Sequence, residues 1–306
     1  MEIRGQALRR IIILLKQIKT HLIILIPYSA GSKFLEWYCS LKFVQSFFFK
    51  HRTDLIRRFA SSFDGHLNMT AVIRHSFTSN ILRKWRFFSL AYCSPRQFDH
   101  WVAGPGGSNI QEWLRNGKGV VFINSHNAMG HCFLLYLVRL GFGNICHLGD
   151  FPHPLSFYPD WKKAIRQVEF SHSEGFYLRH LYTATQVLKQ GGILHISPDG
   201  FIGNRYITLP FLGRNVPFRT GFAELVLDSG ATVVPVFTSI DVSGYVKIEI
   251  TNPLNSEQPG LSRADRIESL TRQYAGFLEK KWAAEPGNIA WPHMERLLEF
   301  PPLGSQ

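Results

Sequence analysis

The 306-residue chain lacks cysteine pairs: Cys39, Cys93, Cys132 and Cys146 form no C-x-x-C and no metal-ligand spacing. A disulfide framework and a cysteine-based metal site are thereby excluded, and a reduced, cytosol-facing protein is the default. It also lacks a run of about 18 uncharged apolar residues, the minimum for a clean membrane-crossing helix. The best attempt, residues 11–28 (IIILLKQIKTHLIILIPY), is broken by Lys16, Gln17, Lys19, Thr20 and His21. The same break spoils it as a signal peptide, and no small-residue cleavage site follows. An interfacial helix or a snorkelling anchor fits the pattern, with a buried N-terminal helix as the bland alternative. Internal repeats and low-complexity linkers are absent as well.

Acidic residues are scarce where basic ones are dense. Residues 1–90 hold 15 Lys and Arg against 4 acids, so this third carries +11 of the total +12. Such a balance calls for an anionic partner. The basic third is also rich in Phe, Ile and Leu. Basic side chains interleaved with apolar helices suit a bilayer interface, and no nucleic-acid-binding motif accompanies them. The alternative is an ordinary solvated basic face on a helical subdomain.

Hydrophobic content of 45% with 18% charged residues supports a substantial core. Residues 34–90 follow a helical pattern, and near residue 116 the character changes. Short Gly-flanked apolar runs appear at 120–124 (VVFIN), 193–197 (ILHIS), 232–237 (TVVPVF) and 245–250 (YVKIEI). These read as buried strands. Helical stretches at 130–140, 174–190 and 218–229 separate them, and a last helix covers 264–286. The alternation predicts an α/β fold: a central mixed, largely parallel sheet flanked by helices, preceded by a helical membrane-associating extension. Three units follow: 1–33 as interfacial or anchoring helix, 34–115 as basic helical region, 116–306 as α/β domain.

Two segments carry candidate chemistry. In the first (123–142), a strand runs into Ser125-His126 with a helix just beyond. Ligands bind beyond the carboxyl ends of strands in open α/β sheets, so His126 is well sited as a general base. The new helix is expected to point free N–H groups toward a developing oxyanion. In the second (196–237), Asp199-Gly200 follows a strand at the same sheet edge, and a loop then carries Pro210-Phe211-Leu212-Gly213-Arg214. Arg214 and Arg219 beside that edge suit a phosphate or pyrophosphate, or are simply solvated arginines of a crossover.

Together these blocks resemble the late acyltransferases of lipid A synthesis, the lauroyl and myristoyl transferases within the lysophospholipid acyltransferase superfamily. The resemblance covers about 35–300. His126 sits where the family has the His of its His-x4-acid motif. PDG (198–200) and LPFLGRNVPFRTGFAELVLDSGATVVPVF (209–237) are similar to the family's Asp-Gln and Pro-Phe-Phe-Gly-Arg blocks. AWPHMERL (290–297) resembles the family's Trp-x-His-Arg-Arg ending. The resemblance implies fatty acyl transfer from acyl carrier protein or CoA to a hydroxyl of a glycolipid or surface glycan. It places the protein at the cytoplasmic face of a bacterial inner membrane, on anionic lipid, peripheral or N-terminally anchored. Neither metal nor cofactor is expected beyond the acyl thioester. His126 takes the role of base, with a carboxylate to orient it.

The chain departs from that pattern at two points. The motif's acid position holds His131, and the stretch LGDFPHPLSF (148–157) has no Arg but carries Asp150 near the position where the family has one. A neutral or positive imidazole cannot stabilise an imidazolium as a carboxylate does. Three residues remain as partners for His126: His131, Asp150 and Asp199, with Asp150 favoured because one compensating exchange explains both departures. The opposing reading is an inactive homologue that binds lipid or a partner enzyme.

Overall fold

In the computed structural model, residues 26–63, 67–115, 117–149, 163–168, 174–200 and 205–304 are described. Asp150 and most of the expected 11–28 helix lie outside them.

The N-terminal layer contains α1 (Tyr28–Ser40), a π-turn (Val44–Phe48), α2 (Lys50–Ala60), α3 (Met69–Asn80), α4 (Arg83–Tyr92) and α5 (Pro95–Trp101). Then come β1 (Val102–Ala103), α6 (Ser108–Arg115), β2 (Val120–Ile123), α7 (Cys132–Arg139), β3 (Ile145–Leu148), β4 (Ile165–Val168) and α8 (Glu174–Lys189). The remainder is β5 (Ile193–Ile196), β6 (Tyr206–Phe211), β7 (Arg214–Arg219), α9 (Gly221–Ser229), β8 (Thr232–Ile240), β9 (Val246–Ile250), α10 (Arg263–Ala284), a 3-10 turn (Pro286–Asn288) and α11 (Trp291–Glu299).

Among the described residues, seven strands form one sheet in the order β1-β9-β8-β2-β5-β3-β4. All neighbours are parallel except the β8–β9 pair. The expected mixed, largely parallel sheet is therefore present, and the four apolar runs are four of its strands. Alternate residues feed opposite faces, as strand geometry requires. Val121 and Ile123 join one core with Phe59, Phe77, Phe222 and Leu278. Val120 and Phe122 join the other with Leu35, Phe87 and Phe133. Burial on both faces explains why the strands read as continuous apolar runs.

Three details differ from the sequence reading. The region 34–115 is not purely helical, because β1 pairs with β9 at the sheet edge. Residues 28–33 belong to the same helix as 34–40, and Tyr28 and Leu35 pack into the sheet core. The expected loop around Pro210–Arg214 is an antiparallel hairpin of β6 and β7. Its turn residues Leu212 and Gly213 both have positive φ, 48° and 71°. A two-residue turn of that hand favours Asn-Gly. Leu212 conceals the signal, and burial of its side chain offsets the backbone strain.

Candidate active site

Adjacent parallel strands β2 and β5 end side by side, with Ile123 in register with Ile196. Beyond Ile123 the chain turns through Asn124 and Ser125 to His126. Beyond Ile196 it turns through Ser197 to Asp199, and the Gly200 N–H closes that turn on the Ser197 carbonyl. The register of the sheet therefore brings the two side chains together. His126 Nδ1 lies 2.8 Å from Asp199 Oδ1, and the His126 backbone N–H donates to Asp199 Oδ2 at 2.8 Å. One carboxylate thus fixes both the ring and the backbone of the histidine. The hydrogen bond makes Nδ1 the protonated nitrogen and turns the Nε2 lone pair outward.

The electrostatics favour a base and its orienter. The Asp199 side chain is 5% exposed and that of His126 37%. Burial alone would raise the Asp199 pKa, but the His126 charge and hydrogen bonds outweigh it and hold the carboxyl below its ordinary value. The carboxylate stays ionised and ready to balance an imidazolium. Gly200 keeps the reactive edge open, since a Cβ there would sit 3.1 Å from His126 Cε1.

The surroundings clamp this pair. Tyr274 of α10 donates its hydroxyl to the Asn124 carbonyl at 2.8 Å. Burial first, then the nearby Asp199 carboxylate, push the Tyr274 pKa up, so the phenol keeps the proton it donates. On the other side, the stretch before α11 pairs with the His126 loop. Ala290 N–H donates to the His126 carbonyl and Ala128 N–H to that of Asn288. From α3, Asn80 donates to the Ile289 carbonyl and accepts from the Trp291 N–H. This strap lays the His293 ring on that of His126, with centroids 4.1 Å apart and planes 12° apart. Burial, then His126, depress the His293 pKa to about 3, so its ring is neutral at physiological pH.

From Asp199 and His293 a narrow apolar cleft runs between the β6–β7 hairpin, α10 and α11. Phe211, Phe218, Trp282, Leu297 and Phe300 line it.

The chain matches the sequence profile of the bacterial lipid A biosynthesis acyltransferases over residues 2–297. It belongs to that family. Comparison with proteins of curated function finds no match. Membership gives this acyltransferase its general reaction, acyl transfer, and its association with membrane lipid. Among the described residues, no helix is long and apolar enough to cross a membrane.

The sequence candidates of this acyltransferase are placed unequally. His126 and Asp199 are in direct contact. His131, the residue at the motif's acid position, packs against the rings of Phe87 and His147. The favoured partner, Asp150, lies outside the described residues, and the carboxylate seen on His126 is that of Asp199. Arg214 donates to the carbonyls of Leu298 (3.4 Å) and Phe300 (2.5 Å), tethering the end of α11. The Arg219 guanidinium stacks over Tyr206 at 5.2 Å.

The expected helix N-terminus facing the site is not open. α7 starts only at Cys132, and the N–H groups of Ala128, Cys132 and Phe133 are taken by Asn288, Met129 and Gly130. A tight turn intervenes because Asn124 Nδ2 holds the Gly130 carbonyl.

Sequence reasoning did not single out His293 and Tyr274. The only signal for His293 was its place in the AWPHMERL block, and Tyr274 reads as one more apolar position of a long helix. His126, Asp199 and His293 could each offer a metal one ligand atom, all within 4.8 Å of one another. The Asp199 carboxylate is already held by the His126 ring and backbone, at 2.8 Å each. The arrangement suits proton transfer better.

Proposed function

We propose that this protein is a membrane-surface O-acyltransferase. It moves a fatty acyl chain from an acyl carrier protein or CoA thioester to a hydroxyl of a glycolipid or surface glycan at the cytoplasmic face of a bacterial inner membrane. The observation that carries this reading is the contact between His126 Nδ1 and Asp199 beside an apolar cleft.

In this mechanism His126 Nε2 removes the acceptor hydroxyl proton. The acceptor oxygen attacks the thioester carbonyl carbon, the C–S bond breaks, and the imidazolium returns its proton to the thiolate. Asp199 holds the ring in the productive tautomer and stabilises its transient charge, as in other base–orienter pairs. The acyl chain points toward the apolar cleft walled by Phe211, Phe218 and Trp282, with the thioester end at His126. Of the three partners weighed for His126, Asp199 takes the part for which Asp150 was favoured, and the motif can then tolerate His131.

The test is acyl transfer measured with purified variants. His126→Ala should abolish transfer, and Asp199→Asn should lower kcat by at least about 100-fold, within the usual range for positioned acid–base groups. Full activity in His126→Ala removes the mechanism. A second reading, an inactive lipid-binding homologue, is favoured by the histidine at the motif's acid position. It prevails if wild type transfers to no acceptor while His131→Glu does.

A further inference from the structure

We infer that the exposed aromatic side chains of α1 and the π-turn form a docking surface that inserts into an anionic lipid bilayer. This rests on the membrane-surface reading above and names the part of the molecule that makes the contact.

Among the described residues, every exposed Phe and Trp falls between positions 34 and 48. Phe34, Trp37, Phe43, Phe47 and Phe48 are 55% to 80% exposed. They form two ring clusters on consecutive elements. Phe34 lies 5.8 Å from Trp37, and Phe48 lies 5.3 Å from Phe47 and 6.3 Å from Phe43. Beneath them Leu35, Cys39 and Val44 are fully buried, so the segment is anchored and its rings face outward by construction. A helix apolar on both faces, one of them left in water, marks an interaction surface.

The charge pattern chooses the occupant. Lys33, Lys42 and Lys50 are exposed and interleave with the rings. The two acids of residues 26–58, Glu36 and Asp54, are each paired with an arginine, Arg74 and Arg57. Protein interface cores are depleted in Lys, whereas aromatic rings flanked by snorkelling lysines fit an anionic lipid surface. The surface also adjoins the site. Arg52, just after the π-turn on α2, pairs with Glu295 and lies 5.2 Å over the Trp291 ring. Those two α11 residues flank His293. Docking there places the layer that borders the catalytic pair against the bilayer, where a lipid acceptor resides.

The experiment uses the full chain with phosphatidylethanolamine–phosphatidylglycerol vesicles, alongside phosphatidylcholine vesicles. Two readouts are vesicle partition and quenching of tryptophan fluorescence by brominated lipid. The Phe43→Ser, Phe47→Ser, Phe48→Ser triple variant should partition at least about tenfold more weakly, from lost apolar insertion. Trp37→Phe should remove most of the quenching seen in wild type. Partition should be stronger on the anionic vesicles and weaken with salt. Wild-type partition by the triple variant overturns the proposal, as does quenching that survives Trp37→Phe. So does binding that the triple variant keeps and deletion of residues 1–25 abolishes, which makes that segment the carrier. Transfer to a short-chain, water-soluble acceptor should be unchanged in the triple variant, while His126→Ala should bind vesicles normally. If no acyl transfer is found but the triple variant still loses binding, the surface stands and the catalytic reading falls.

Discussion

The imidazole of His293 lies flat on that of His126, 4.1 Å between centroids and 12° between planes. His126 is thus held edge-on by Asp199 and face-on by a second ring. The edge contact supplies charge. In the proposed mechanism the face contact supplies position and a polarisable surface for the imidazolium of His126.

Removing the second ring tests its contribution. His293→Ala should lower kcat roughly tenfold, the scale of about 1 kcal/mol for a cation against an aromatic face plus some loss of aim. His293→Phe, which keeps a flat ring, should recover much of that loss. KM for the acyl donor should move less than kcat in both. Equal activity of the Ala and Phe variants would show that stacking is not what matters.

The same residue gives the fold a pH dependence. Burial first, then His126, hold the folded His293 pKa at about 3 against an ordinary 6.5. The unfolded chain therefore binds this proton at higher pH than the folded chain does. Stability from this group is complete above pH 6.5 and is lost as pH falls toward 3. Asp199 acts in the same direction at lower pH. Its folded value lies below 3.8, so its contribution is present above that pH and disappears as pH drops through the depressed value. Calorimetric Tm measured across the acid range should fall less steeply in His293→Phe than in wild type. An identical slope would mean that His293 is not a buried neutral group.

Arg214 has a different role to test. Its guanidinium holds the Leu298 and Phe300 carbonyls, and the next residues pair with the tail, Asn215 N–H donating to the Pro301 carbonyl. Phe300 and Leu297 also wall the apolar cleft. Arg214→Ala should therefore cost about 1.5–3 kcal/mol of stability, the range for hydrogen bonds from a charged group. The cleft wall should loosen, raising KM for long acyl chains more than for short ones. A KM increase that is the same for every chain length, with Tm unchanged, would point to direct contact with an anionic substrate instead.

The sequence by itself determined the sheet and the family, and it singled out His126 as the candidate base. These are local properties. A strand buried on both faces must be a short apolar run, as at Val120–Ile123 and Ile193–Ile196, and a histidine just past such a strand lies at the sheet edge where ligands bind. Tertiary structure decided which carboxylate serves His126. Asp199 lies 73 residues further along and meets it only because β5 runs parallel beside β2 in register. His131, five positions away, points to other rings because the turn at Asn124–Gly130 redirects the chain. His293 reaches the site from the far end of the chain through a strap whose backbone hydrogen bonds leave no trace in side-chain pattern. Short-range pattern reports burial and period. A catalytic contact depends on strand register and on which backbone groups are already paired, and those are settled only when the whole sheet has formed.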